Sequence, residues 1–197
     1  MKKLDIYKFK PDEMRELTFT ELKVLAVLRQ LSQESKIDYR PNVMAEKIGI
    51  TTNQLLKAIT GLSEKKKLSC ITVGKKHEVA IISTLAEKEQ YLFFDLRDFR
   101  FFSVQKGESK LTYNEFKIFA LIRSYYAGNG YKPYFGISYV QNITGIGNTN
   151  IYRVLDSLNE KSVLQYFGKE ITGNKPQWSL CEDWNYVKLR KKKAESD

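Results

Sequence analysis

LTYNEFKIFALIRS, residues 111–124, restates LTFTELKVLAVLRQ, residues 17–30, which lies 94 residues earlier. The two stretches share Leu, Thr, Glu, Lys, Ala and Arg at six matching positions, and most other positions set apolar against apolar. Thr18 and Thr112 stand three residues before Glu21 and Glu115. That T-x-x-E spacing is a capping box, in which hydroxyl and carboxylate each take up an orphan amide at a helix start. Leu17 and Leu111 precede the caps, and Leu22 and Phe116 follow at the fourth helical position, the spacing of a hydrophobic staple. Each stretch therefore predicts a helix with a defined start.

The likeness continues. EKIGITTNQLLKAITGLSEKKKL (46–68) aligns with NITGIGNTNIYRVLDSLNEKSVL (142–164) at an offset of 96. Gly49 matches Gly145, and Ile50 matches Ile146. Leu55, Ile59, Leu62 and Leu68 match Ile151, Leu155, Leu158 and Leu164. Apolar residues at those intervals make one helical stripe. The glycines fall where one helix must end and the next begin, a place that calls for a left-handed residue. Two departures stand out. Ile48 directly precedes Gly49, whereas Ile143 is one place further from Gly145. Lys67 stands where the second copy has Val163.

A β-rich segment follows each of these helices. LSCITVGKKHEVAIIST (68–84) reads as two strands around a Gly-Lys-Lys-His tip. VLQYFGKEITGNKPQWSL (163–180) reads as two strands around Thr-Gly-Asn-Lys-Pro. Gly and Asn between β-branched or aromatic runs signal hairpins. Each copy is thus helix, helix, glycine turn, helix, hairpin. The Phe-rich segment between the copies is expected to pack on one or both of them, with a strand near Tyr91–Leu96. The opening LDIYKFKPDEMRE is its candidate counterpart. The fold class expected is mainly α with small β-hairpins (α+β). The domains expected are residues 1–90 and 91–187, followed by a basic, disordered tail at 188–197.

Lys and Arg outnumber Asp and Glu by 33 to 23, a formal charge of +10. An excess of that size suits a polyanionic partner, nucleic acid before an anionic membrane face. Divided at residue 90, both halves carry +5: 17 basic against 12 acidic side chains, then 16 against 11. No apolar run approaches the roughly 20 residues of a membrane span, and the two N-terminal lysines lack the apolar segment of a secretory signal. Cys70 and Cys181 lie in apolar strand-like contexts and are expected to be buried free thiols, which suits a reducing cytoplasm.

This order of elements resembles the winged helix-turn-helix. The pattern "LT-x-x-E-(F/L)-K" before one helix, "GI" before the next and "L-x-E-K" leading into a strand is similar to domains of bacterial plasmid and phage replication initiators, replisome organisers and transcriptional regulators. The resemblance covers roughly residues 17–84 and 111–180. It implies two such domains related by internal duplication, with double-stranded DNA as the partner and contacts to self or to other replication or transcription proteins as further options. In such a motif the helix after the glycine turn enters the major groove. The residues off its apolar stripe are Thr52, Asn53, Gln54 and Lys57 in the first copy, and Asn148, Thr149, Asn150 and Arg153 in the second. Asn and Gln can pair bidentately with adenine, and Arg or Lys with guanine. Thr51, Thr52, Gly147 and Asn148 are equally placed to cap the helix. Leu56 and Tyr152 either meet the DNA or belong to a wider buried face. At the hairpin tips, Lys75 and Lys76, with Asn174 and Lys175, are placed to follow the phosphate backbone.

Other classes find little support in the sequence. A single histidine, His77, makes no zinc cluster. GIGNTN lacks the Lys-Ser/Thr of a phosphate loop. No enzyme, metal or cofactor is expected. The rival reading is a tandem winged-helix protein-interaction module that does not read DNA.

Overall fold

The computed structural model describes residues 6–31, 36–38, 40–73, 76–83, 85, 91–95, 111–129, 136–161, 163–167 and 177–180. The chain divides into two compact units, Met1–Lys110 and Leu111–Asp197. Both are mostly helical with small antiparallel β-pairs, an α+β organisation.

The first unit is built around helix α2 (Phe19–Leu31), which follows a short α1 (Glu13–Glu16). Every residue from Glu21 to Leu28 is buried. The helix is covered all round because α1, α3 (Pro41–Ile48), α4 (Thr52–Glu64) and strand β1 (Ile6–Phe9) all pack on it. The predicted capping box forms: Glu21 Oε2 accepts from Thr18 N at 2.7 Å, and Thr18 Oγ1 accepts from Glu21 N at 3.3 Å. Leu17 and Leu22 are both buried, as a staple requires. On α4 the buried stripe is Leu55, Ala58, Ile59 and Leu62. Burial of each of the larger three contributes about 1.5–3 kcal/mol.

Strands β3 (Leu68–Val73) and β4 (Lys76–Ile81) form the expected hairpin. A three-residue strand, β2 (Lys36–Asp38), joins on the far side of β4, giving the order β2-β4-β3. Cys70 is exposed, contrary to expectation; it lies on β3, an edge strand that pairs only with β4 among the described residues.

The Phe-rich segment supplies β5 (Leu92–Asp95), which pairs antiparallel with β1, Phe9 opposite Leu92. Tyr7 stacks on Phe94 at 5.5 Å between centroids, and Phe9 lies 5.8 Å from the same ring. The pairing corrects the boundary placed between residues 90 and 91. Aromatic cross-strand contacts bind Leu92–Asp95 to the first unit, so the division falls after Lys110.

The second unit has α5 (Tyr113–Asn129), α6 (Ile137–Thr144), α7 (Asn148–Glu160) and the antiparallel pair β6 (Leu164–Phe167) and β7 (Gln177–Leu180). Helix α5 packs on α6, α7 and β7. Its cap repeats that of α2: Glu115 accepts from Thr112 N, and Glu115 N donates to Thr112 Oγ1 at 3.3 Å. Ile151, Val154, Leu155 and Leu158 are buried along α7, the positions equivalent to the α4 stripe.

Candidate functional site

Two helix–glycine–helix elements carry the residues singled out by sequence. Gly49 and Gly145 close α3 and α6 with φ of 74° and 72°. A side chain with a Cβ is strained in that left-handed region, which is why glycine sits at both turns. Gly49 N donates to Glu46 O at 3.1 Å, Ile50 N to Ala45 O at 3.0 Å, and Gly145 N to Gln141 O at 2.8 Å. Thr144 takes the place of Ile48 at the last buried position. Its hydroxyl donates to Val140 O at 2.7 Å and accepts from Ile146 N at 3.2 Å, so a polar group is buried there with both hydrogen-bonding roles used. This accounts for the shifted isoleucine.

The capping-box glutamates have a second task that their spacing did not reveal. Lys65, at the end of α4, donates to Glu21 Oε2 at 2.6 Å. Lys161, its equivalent at the end of α7, donates to both oxygens of Glu115 at 2.8 and 2.9 Å. Ser157 Oγ adds a bond to Glu115 Oε1 at 2.6 Å. Residue 61, the counterpart of Ser157, is glycine, and a methyl group there would run into the Glu21 carboxylate. One copy thus leaves space for the carboxylate where the other offers it a donor. Burial raises the pKa of both glutamates, but hydrogen bonds from lysine, hydroxyl and backbone outweigh it and hold them below the ordinary carboxylate value. The "L-x-E-K" lysines therefore lock the far end of α4 to the start of α2, and of α7 to the start of α5.

The lysines of "E-(F/L)-K" are buried as well. Lys117 Nζ donates to Thr144 O at 3.0 Å, at the C-terminal end of α6, and lies 4.6 Å from the Tyr113 ring centre. Cations are favoured at that end of a helix. Lys23 lies 4.2 Å over the Phe19 ring, and burial pushes its pKa down to about 8. Lys67, the odd residue against Val163, forms an ion pair with Glu16 at 2.6 Å. Its backbone N–H bonds Leu62 O as Val163 N–H bonds Leu158 O, both at 2.9 Å, so the two hairpins start alike. In the first unit Arg29 clamps the buried Glu13 carboxylate and the Ser83 carbonyl, tying α2 to α1 and to the end of β4.

These anchors leave one side of α4 and α7 outside. Thr52, Asn53, Gln54 and Lys57 are exposed, as are Asn148, Thr149, Asn150 and Arg153. Besides lying off the apolar stripe, Gln54 belongs to the cap: its Oε1 accepts from Thr51 N at 2.9 Å while Thr51 Oγ1 accepts from Gln54 N at 3.2 Å. Only its amide NH2 is left to meet a partner. Thr51, not Thr52, is the N-cap of α4. Gly147 is the N-cap of α7 and supplies no side chain, so Asn148, Thr149 and Asn150 are not used in a side-chain cap bond. Leu56 is exposed and Tyr152 half-buried, so the apolar face does not widen to enclose them. Lys76 opens β4 opposite Val73. Lys75, Asn174, Lys175, Cys181 and the 188–197 tail lie outside the described residues.

Among the described residues no three His, Cys, Asp or Glu side chains group as metal ligands, and no helix is long and apolar enough to cross a membrane. No model of a known family matches the sequence, and none of the curated proteins does. Among solved structures, the chain is similar to one from the endosomal complex ESCRT-II. Identity is 14%, the TM-score is 0.28, and the match covers 86% of this chain and 64% of that one. Similarity at that level decides neither fold nor partner.

Proposed function

We propose that this protein binds double-stranded DNA through two winged helix-turn-helix elements in one chain, with α4 and α7 as the recognition helices. The observation that carries the reading is the pair of helices that follow the glycine turns, each pinned at its far end and each presenting exposed amide, hydroxyl and cationic side chains. Groups of that kind match base edges and phosphates. A basic chain of +10 suits a polyanion. The role is binding without catalysis. The setting we infer is regulation or replication initiation for a plasmid, phage or other mobile element, which rests on the resemblance of the motifs alone. Duplication within the chain takes the place of the second subunit that single-motif regulators recruit. Because α4 and α7 differ in sequence, the target is two unlike half-sites.

The test is retention of labelled duplex DNA across a salt series, starting near ~50 mM. Binding that weakens steeply with salt supports the reading, because each phosphate contact releases counterions. Selection from a random duplex library would then give the site. On that site Lys57→Ala or Arg153→Ala should cost about 1–3 kcal/mol if the lost contact is bidentate to guanine. Val43 on α3, Leu56 on α4 and Tyr139 on α6 are exposed apolar or aromatic residues. They are what a protein-binding surface would use. Absence of duplex binding at low salt would therefore turn the reading to a protein-interaction module.

A further inference from the structure

Dividing the chain at its structural boundary changes the charge picture. Residues 1–110 carry 21 basic and 15 acidic side chains, a net +6, and residues 111–197 carry 12 and eight, a net +4, of which the 188–197 tail supplies +3. The contrast sharpens on the helix pairs. Residues 40–67 hold Arg40, Lys47, Lys57, Lys65, Lys66 and Lys67 against Glu46 and Glu64, a net +4. The equivalent 136–163 hold Arg153 and Lys161 against Asp156 and Glu160, with no net charge.

The ion pairs described above remove some of these cations from the count. Lys65 and Lys67 are engaged by Glu21 and Glu16, and Lys161 by Glu115. Arg40, Lys47, Lys57 and Lys66 remain exposed on the first pair and make no ion pair with another described residue. On the second pair only Arg153 remains, with Asp156 exposed three residues on, which places them on neighbouring turns of one helix face. Apart from Glu160 at the end of α7, the other exposed side chains of that pair are uncharged, among them Ser138, Tyr139, Gln141, Asn142, Asn148 and Asn150.

Resting on the DNA-binding reading, we infer that the two units divide the work. The α3–α4 face supplies the phosphate contacts, and with them most of the salt-dependent affinity. The α6–α7 face adds at most one such contact and acts through uncharged groups. Phosphate contacts hold a protein on the duplex without carrying sequence information, and uncharged donors and acceptors against base edges do the reverse.

The experiment uses the full chain and a labelled random-sequence duplex, with affinity measured from about 50 to 300 mM salt. Three proteins are compared: wild type, the triple variant Arg40→Gln/Lys47→Gln/Lys57→Gln, and Arg153→Gln. The substituted side chains are exposed, and unchanged thermal melting confirms that the fold is kept. The triple variant is expected to lose about three units of slope in log K against log salt, at roughly 0.9 per phosphate contact. At about 0.1 M salt this amounts to weakening on the order of a hundredfold. Arg153→Gln is expected to lose at most about one unit. A triple variant with the wild-type slope, or an Arg153→Gln loss as large as that of the triple variant, overturns the division of labour while leaving DNA binding intact. Wild-type protein that holds no duplex at about 50 mM salt ends both readings.

Discussion

Replacing Glu115 with alanine tests whether the repeated motif is held together as described. The carboxylate is buried and accepts bonds from Thr112 N, Ser157 Oγ and Lys161 Nζ. Losing a capping partner costs about 1 kcal/mol, and each hydrogen bond to a charged group is worth about 1.5–3 kcal/mol. The Lys161 side chain is 22% exposed, so its amine can return to water and its share is discounted. The expected loss is about 2–4 kcal/mol. The assay is built into the sequence: the chain has two tryptophans, Trp178 and Trp184, both in the second unit. Their fluorescence in urea follows that unit alone. With a denaturant dependence of about 1–3 kcal/mol per molar, the midpoint should fall by roughly 1–2 M. Glu115→Gln should fall about half as far, because its amide oxygen can still accept from Thr112 N. A double-mutant cycle with Lys161→Met should return a coupling of about 1 kcal/mol or more. A midpoint within roughly 0.3 M of wild type for the alanine variant would refute the reasoning, since it would mean water replaces the whole network without cost.

Three further outcomes follow from the same geometry. Glu115 lies below its ordinary value of 4.5, so its contribution to stability is present above that pH and is lost as pH falls through the depressed folded value. Tryptophan fluorescence should show a flatter acid limb for Glu115→Gln than for wild type. Lys23 is shifted by burial from 10.5 to about 8, so the folded state favours the neutral amine, and stability should rise as pH climbs from about 8 towards 10.5. Lys23→Met should remove that rise and stabilise the first unit at neutral pH by about 1–3 kcal/mol, read by thermal melting. Lys66 is held at φ 56°, a left-handed conformation at the end of α4. Lys66→Gly should gain up to about 1 kcal/mol in stability while weakening duplex binding by about one phosphate contact.

What could be read in the sequence was local. Capping boxes, glycine turns and apolar stripes are written within 14 residues, and each spacing is set by one turn of helix. What could not be read was long-range. Strand β2 is three residues long and exists only because β4 lies beside it. Leu92–Asp95 was legible as a strand, yet its partner lies some 85 residues away, and the unit boundary moved with it. The Lys65–Glu21 and Lys161–Glu115 bridges span 44 and 46 residues. A signal was available, because each falls at the same place in both copies, and a surface lysine need not recur. The capping role of Gln54 is hidden for a simpler reason. T-x-x-Q at 51–54 is itself a capping box, and the polar run after Gly49 hid it.

The two copies differ unequally in their two layers, and this bears on function more than the likeness does. Inward changes come with compensation. Thr144 for Ile48 brings a hydroxyl whose donor and acceptor roles are both used, and Ser157 for Gly61 turns a space for a carboxylate into a bond to one. Other changes fall on exposed positions: Val43 against Tyr139, and Thr60 against Asp156. A framework held this closely restricts where α4 and α7 can point. A change on the exposed face can then alter what is bound without altering how the helix is held. Stability and recognition are therefore separable here, position by position. Glu115 and Lys161 should govern the melting of the second unit, and Asn150 and Arg153 should govern what that unit touches. A surface substitution that moved both would mean that the exposed face is part of the framework, and the assignment of α7 as a reading helix would fail with it.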